Sequence, residues 1–285
     1  MRYGILIDSA RCMSCYNCFM ACKDEHCGFS TTVSAEQPHM GQFWIRLDER
    51  ERGDDSRKIK TVCVPTPCSH CHDPACAKVS RNGAVYTRPD GIVIIDAQKA
   101  AGQKDIADAC PIGAVYWNEE LQIPQKCTMC AHILDDPDYA VSDPGDKKPR
   151  CVEACPNNAL VFGDLDDPQS GICKRISQEK VTVLAALSGA ETNVVHVNIP
   201  TVFLAGTVYL PDDEVCDGAK VTLVSKNGDD IRVAATNYFG DWEQDDLVKD
   251  SVYEITIEYP GYKTLSLTAK TDTDHFTGEF ILEER

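Results

Sequence analysis

The residues with chemistry to offer are the cysteines, 16 among 285 residues. Fifteen precede residue 175, and Cys216 alone follows it. Cys12, Cys15, Cys18 and Cys22 form C-x2-C-x2-C-x3-C, and Cys68, Cys71 and Cys76 form C-x2-C-x4-C. Cys110 stands before Pro111, Cys127 and Cys130 form C-x2-C, and Cys151 and Cys155 form C-x3-C before Pro156. Three chemistries compete for them. Disulfides suit short exported chains, whereas the early apolar stretch Ile5-Leu6-Ile7 is cut short by Asp8 and makes no export signal. Zinc takes four ligands, usually from two short knuckles, and the run at 12–22 is too dense for one. Iron–sulfur ligation matches the spacing. Three cysteines of such a run hold one [4Fe–4S] cluster, the fourth reaches the neighbouring cluster, and Cys-Pro closes the pattern.

Internal repeats refine the ligand sets. Ile5-Leu6-Ile7-Asp8 leads to Cys12 as Val93-Ile94-Ile95-Asp96 leads to Ala100. A turn and a short strand recur at Asn82-Gly83-Ala84-Val85-Tyr86, Ile112-Gly113-Ala114-Val115-Tyr116 and Asn157-Asn158-Ala159-Leu160-Val161. An ancestral layout of four cysteine groups and sixteen ligands follows. Ferredoxin spacing back from Cys110 falls on Ile106, Gln103 and Ala100, and four residues beyond Cys76 lies Ser80. These four would have served one cluster together, so one set is vacated whole and twelve ligands remain. The three-plus-one rule then groups Cys12, Cys15, Cys18 and Cys155; Cys22, Cys127, Cys130 and Cys151; and Cys68, Cys71, Cys76 and Cys110, for three [4Fe–4S] clusters. Cys27, Cys63, Cys173 and Cys216 are left as free thiols. For His26, His70, His72 and His132, plain structural roles and hydrogen bonds that tune a cluster are both open.

The elements that position these groups are tight ligand loops, each followed by a short helix or strand. Residues 1–175 are therefore expected to form an α+β, double ferredoxin-like domain. Ala97–Ala109 reads helical and has lost its ligands, so apolar packing is expected where a cluster stood. Gly28–Val62 reads as a long loop holding Phe43-Trp44-Ile45 and the mixed-charge run Asp48–Lys60, either solvated or partner-binding. Asp135–Arg150, with three prolines, is a second such loop. Residues 176–196 are expected to be a linker, part helical at Lys180–Leu187. Residues 197–285 alternate in short segments at Val202–Leu210, Ala219–Val224, Arg232–Thr236, Ser251–Tyr259 and Lys263–Ala269. Turn signals at Pro211-Asp212-Asp213, Asn227-Gly228-Asp229 and Pro260-Gly261 separate them, which predicts an all-β sandwich with a structural or docking role.

Charge is skewed the other way from sulfur. The chain carries a net −17, with 25 acidic and 20 basic side chains up to residue 175 but 20 and 8 beyond it. Such an anionic surface excludes nucleic acid as a partner. No stretch approaches the ~18 consecutive apolar residues of a membrane span.

The four-group layout resembles the iron–sulfur subunits of the dimethyl sulfoxide reductase family of molybdenum and tungsten enzymes. Pro67-Cys68-Ser69-His70-Cys71-His72-Asp73-Pro74-Ala75-Cys76 is similar to that family's second group without its fourth cysteine, and the likeness runs through residues 1–165. Glu49-Arg50-Glu51-Arg52-Gly53, Asn82–Tyr86, Tyr116-Trp117-Asn118-Glu119-Glu120 and Gln125-Lys126-Cys127-Thr128-Met129-Cys130-Ala131-His132 resemble one branch of it. In that branch the small subunit keeps three clusters, carries an appended β domain and serves enzymes of polyhydroxylated aromatics. The tail resembles Cna-B or carboxypeptidase-regulatory modules through Gly218-Ala219-Lys220-Val221, Thr236-Asn237 with Phe239-Gly240, and Gly261-Tyr262. The resemblance implies an electron-transfer subunit with no catalytic residues of its own. Its partner would be a large subunit holding bis-molybdopterin guanine dinucleotide with Mo or W, active in transhydroxylation or reductive dehydroxylation. A reductase of sulfur or nitrogen oxyanions and a free-standing polyferredoxin are the alternatives. Intact thiolates point to the cytoplasm, or to folded export with a signal-bearing partner.

Overall fold

The computed structural model describes residues 1–26, 44–139, 146–182, 184, 187 and 189–285. The chain divides into two units, residues 1–49 with 63–199 and residues 50–62 with 200–285.

The first unit is built on β1 (Tyr3–Asp8), whose Ile5, Leu6 and Ile7 are wholly buried. An unbroken apolar run suits a strand covered on both faces. After β1 come the first cysteine run and α1 (Asn17–His26). A hairpin follows, of β2 (Ile45–Asp55) and β3 (Lys58–Pro67). Then come α2 (Ala75–Val79), β4 (Val85–Thr87), β5 (Val93–Ile95) and α3 (Asp105–Asp108). The unit continues through β6 (Val115–Asn118), β7 (Ile123–Lys126), α4 (Ala131–Asp135) and α5 (Arg150–Glu153). It closes with β8 (Leu160–Asp164), α6 (Gly171–Gln178), β9 (Val181–Thr182) and β10 (Val194–Val197). The main sheet has the order β8-β1-β10-β9, with β1 antiparallel to β8 and parallel to β10. Among the described residues, no helix is long and apolar enough to cross a membrane.

The repeats have a structural cause. Asp8 accepts a hydrogen bond from the Ala10 N–H (3.1 Å), and Asp96 accepts from Gln98 (3.0 Å) and Lys99 (3.1 Å). Each aspartate therefore ties the turn that leaves its strand. In the second repeat the residue before the buried alanine is left-handed each time: Gly83 (φ +63°), Gly113 (φ +61°) and Asn158 (φ +50°). Glycine and asparagine tolerate that conformation best, which is why the repeat shows them there.

Two segments differ from expectation. The long loop read over Gly28–Val62 contains the β2–β3 hairpin; residues 27–43 lie outside the described residues, as does 140–145 of the second loop. The linker read over 176–196 instead supplies β9 and β10 to the main sheet, and Val181–Thr182 is strand where a helix was expected. Val194–Val197 gains its ladder from β1, some 190 residues earlier, and no local pattern announces such a partner.

In the second unit, β11 (Val202–Tyr209), β12 (Lys220–Ser225), β13 (Ile231–Ala235), β14 (Asp241–Leu247), β15 (Val252–Glu258), β16 (Leu265–Lys270) and β17 (His275–Ile281) form two sheets, β14-β11-β17 and β13-β12-β15-β16. Leu204, Val208, Val221, Leu223, Trp242, Tyr253, Ile255 and Ile257 share one core. Along β12 and β15 burial alternates, the period expected of a sheet with one covered face. Strands β14 and β17 are not among the segments expected from alternation: Asp241-Trp242-Glu243-Gln244-Asp245-Asp246-Leu247 is too acidic to look like a strand. The hairpin tip explains those acids. Arg52 donates to Asp274 (2.8 and 3.1 Å), and Lys60 pairs with Glu243 and Asp245. The Arg57 guanidinium lies 4.5 Å from the Phe276 ring centre and that of Arg52 5.3 Å from Phe203, so the tip also covers the second face of β11.

Candidate metal centres

The fold gathers the cysteines into three groups. Cys12, Cys15, Cys18 and Cys155 line one cavity with Met13, Tyr16 and Pro156. Cys68, Cys71, Cys76 and Cys110 line another with Val93 and Pro111. Helix α1 packs on α5, which brings Cys22 to Cys151. The Cys151 thiol is pushed well up by burial and then by Cys22, Cys127 and Cys130, which places those four together. The groups adjoin in that serial way: Cys18 reaches Cys22 and Cys151, and Cys127 adjoins Cys68. The order is therefore the Cys12 set, the Cys22 set, then the Cys68 set.

Backbone strain aims the sulfurs. In three of the four C-x2-C turns the residue before the second cysteine is left-handed, Ser14 (φ +54°), His70 (φ +46°) and Met129 (φ +50°), while in Cys15-x2-Cys18 it is Tyr16 (φ +60°), directly after the first cysteine. That twist lets two sulfurs three residues apart face one space, and it turns N–H groups inward. Amide N–H groups donate to Cys68 from His70 (3.5 Å), to Cys127 from Met129 (3.4 Å), to Cys110 from Ala114 (3.2 Å) and to Cys155 from Ala159 (3.3 Å). Phe19, Trp44 and Arg150 do the same for Cys18, Cys22 and Cys130. Sulfurs so surrounded are set up as anionic acceptors.

Without a cation the thiolates would not form. Burial pushes the Cys18 and Cys127 thiols up to about 12, and those of Cys76 and Cys130 to about 11. Metal must displace these protons. Among the described residues, no three His, Cys, Asp or Glu side chains are drawn tightly enough to hold a single ion. The sulfurs surround a space instead, which suits a multi-atom cluster better than one zinc. A second observation agrees: Lys126 is buried without a carboxylate partner among the described residues, and the buried His70 Nε2 has no hydrogen-bond partner. Both ask for a nearby anion. The residues present therefore fit iron–sulfur clusters.

The vacated positions are filled. Ala100 and Ile106 are wholly buried in a core with Cys76, Ala84, Val85, Val93 and Val115. Gln103 accepts from the Arg81 N–H (2.7 Å) and donates to Lys99 O (2.7 Å), while the Ser80 hydroxyl donates to Ala77 O (2.9 Å). The Ala84 N–H, whose counterparts serve sulfur, donates to Arg81 O (3.0 Å).

The remaining cysteines and histidines sort by contact. Cys63, expected to be a bystander, lies buried against Cys12 and Ser14; Cys173 and Cys216 are free thiols, and Cys27 lies outside the described residues. His72 pairs with Glu191 (2.9 Å) and His132 with Glu25 (2.8 Å). His26 stacks on Trp44 with ring centres 3.9 Å apart, and burial, then His132, lowers its value from 6.5 to about 4. The unfolded chain thus takes a proton between pH 6.5 and 4 that the folded chain refuses, so stability is full above 6.5 and falls as the pH drops. His26→Phe keeps the stack and removes that proton. It is expected to flatten the acid slope by up to about 3 kcal/mol, read by urea unfolding of the iron-loaded protein at successive pH values. Slopes that coincide would assign the acid loss to His70 and His196, which burial also holds below the usual imidazole range.

Comparison with known proteins agrees with this geometry. The family model of the 4Fe-4S dicluster domain matches residues 59–165. A component of the anaerobic dimethyl sulfoxide reductase of Escherichia coli is 34% identical over 168 residues, 58% of this chain and 75% of the relative. A component of the tetrathionate reductase of Salmonella typhimurium is 31% identical over 205 residues, 71% of this chain and 75% of the relative. The chain belongs to the electron-transferring iron–sulfur subunits of the dimethyl sulfoxide reductase family of molybdopterin oxidoreductases. Iron–sulfur clusters are its cofactors. The likeness that spans both units is to the pyrogallol hydroxytransferase small subunit of Pelobacter acidigallici, 37% identical over 275 residues, 95% of each chain.

Proposed function

We propose that the chain carries three [4Fe–4S] clusters on the sets Cys12/Cys15/Cys18/Cys155, Cys22/Cys127/Cys130/Cys151 and Cys68/Cys71/Cys76/Cys110. The observation that carries this is convergence: twelve cysteines from distant loops meet as those three groups, while of the fourth set Ala100 and Ile106 lie in an apolar core and Ser80 and Gln103 hydrogen-bond to backbone. Bound there, the clusters pass single electrons. The chain's own part is to space them, donate amide hydrogen bonds to their sulfurs and keep water away.

We further propose that the partner holds bis-molybdopterin guanine dinucleotide with Mo or W and moves hydroxyl groups between polyhydroxylated aromatics. The full-length likeness to the pyrogallol hydroxytransferase small subunit supports this. The second unit is then a β-sandwich module of the Cna-B or carboxypeptidase-regulatory kind, without an active site. Hydroxyl transfer is redox-neutral overall, so a cluster row ended by an apolar core suffices. The test is turnover of pyrogallol by the purified complex with and without an added one-electron reductant. Turnover without reductant and about twelve iron atoms per chain are expected. A strict need for reductant would replace this reading with reductive dehydroxylation.

A further inference from the structure

Lys126 ends β7 at a position where lysine is rarely found. It is 2% exposed, and its ammonium donates to the carbonyls of Val93 and of Cys127 (3.0 Å). Among the described residues no carboxylate pairs with it. Lysine is almost never buried unpaired, because an ammonium taken out of water without a counter-charge costs several kcal/mol. The anionic candidates around it are sulfurs: its charge acts on Cys71, Cys76 and Cys127. Cys127 belongs to the neighbouring set, where Cys130 answers to Arg150 and the largest effects on Cys22 and Cys151 come from burial and from other cysteines.

Val93 fixes the arrangement. Its N–H donates to His70 Nδ1 (3.0 Å), its carbonyl takes the Lys126 ammonium, and its side chain lines the Cys68 cavity. His70, wholly buried and kept neutral, offers no negative charge. Beyond that cavity lies the filled fourth site, with Ala100 and Ile106 at 0% exposure. The row of clusters therefore ends beside this one buried cation.

We propose that Lys126 is the built-in counter-charge of the cluster on Cys68, Cys71, Cys76 and Cys110, and makes that terminal cluster the resting place of an electron. This rests on the three-cluster reading. An oxidised four-iron cluster with four thiolates carries about −2, and one electron from an external one-electron donor takes it to about −3, with no bond broken and no proton moved. A fixed positive charge in a low-dielectric site stabilises the more negative state more, so the potential rises.

The test is an anaerobic redox titration of the whole complex with a viologen mediator, followed by electron paramagnetic resonance. Lys126→Gln keeps an amide that can donate to both carbonyls and removes the charge. One of the three signals is expected to become at least tenfold harder to reduce, a shift of about 59 mV to more negative potential. The other two are expected to move less than threefold. An iron-complete Lys126→Gln variant with unmoved midpoints would overturn the proposal. If that variant arrives four irons short, Lys126→Arg decides. Full iron and a wild-type midpoint in the arginine variant support the counter-charge, whereas equal iron loss would show that lysine's shape is needed and overturn it. A wild-type complex with other than three signals would instead sink the cluster reading itself.

Discussion

Replacing Cys68 with serine is expected to lower the iron content from about twelve to about eight per chain and to abolish one cluster signal. Cys68 lines one cavity with Cys71, Cys76 and Cys110, and its sulfur takes the His70 N–H at 3.5 Å. Serine is shorter, its oxygen is harder than sulfur, and the left-handed turn at His70 cannot relax to bring it closer. Cys110→Ser is expected to give the same loss, although Cys110 comes from a separate loop after α3. That equivalence tests the long-range grouping, which a single substitution cannot. The Cys12 set should keep its iron, because it adjoins the Cys22 set and not this one. Loss of all twelve irons from either variant would mean that the clusters assemble as one unit. Iron content and spin quantitation on anaerobically purified complex read the outcome.

Ile106→Ala should destabilise the first unit by about 2–5 kcal/mol, the usual cost of a cavity at a fully buried isoleucine. For a unit of this size the unfolding midpoint would fall by roughly 5–15 °C. Ile106 sits at 0% exposure where a cluster ligand would stand, packed with Ala100, Val93, Val115 and Cys76. Because Cys76 shares that core, the Cys68-set cluster should be lost first on warming, ahead of the other two. Thermal unfolding followed with the iron absorption band separates these steps. A change below about 0.5 kcal/mol, the level of an exposed substitution, would show that the vacated site is loosely filled and that apolar packing has not taken over from the cluster.

Both predictions draw on features legible in the sequence to different degrees. The ligand loops are local objects: sulfurs two or three residues apart must share a turn, so their spacing declares the cluster type. The Asp8 and Asp96 turns and the left-handed Gly83, Gly113 and Asn158 are equally local, and the repeats exposed them. The strands at Lys220–Ser225 and Val252–Glu258 were readable because one face is wet and one dry. The acidic β14 and the charged β2–β3 hairpin escaped, because their charges are paired across distant segments and so do not mark solvent.

By itself, then, the sequence determined the iron–sulfur chemistry, and its spacings and repeats are what the proposal of twelve ligands in three sets rests on. Tertiary structure decided what lies between. It placed β10 beside β1, laid the sets in a row and filled the vacated lobe with Ala100 and Ile106. It also buried Lys126, one of 28 basic side chains that composition would leave in water. The physical reason is range. Ligand geometry is set by a few covalently linked residues, whereas burial, dielectric and counter-charge depend on which distant segments close over a residue.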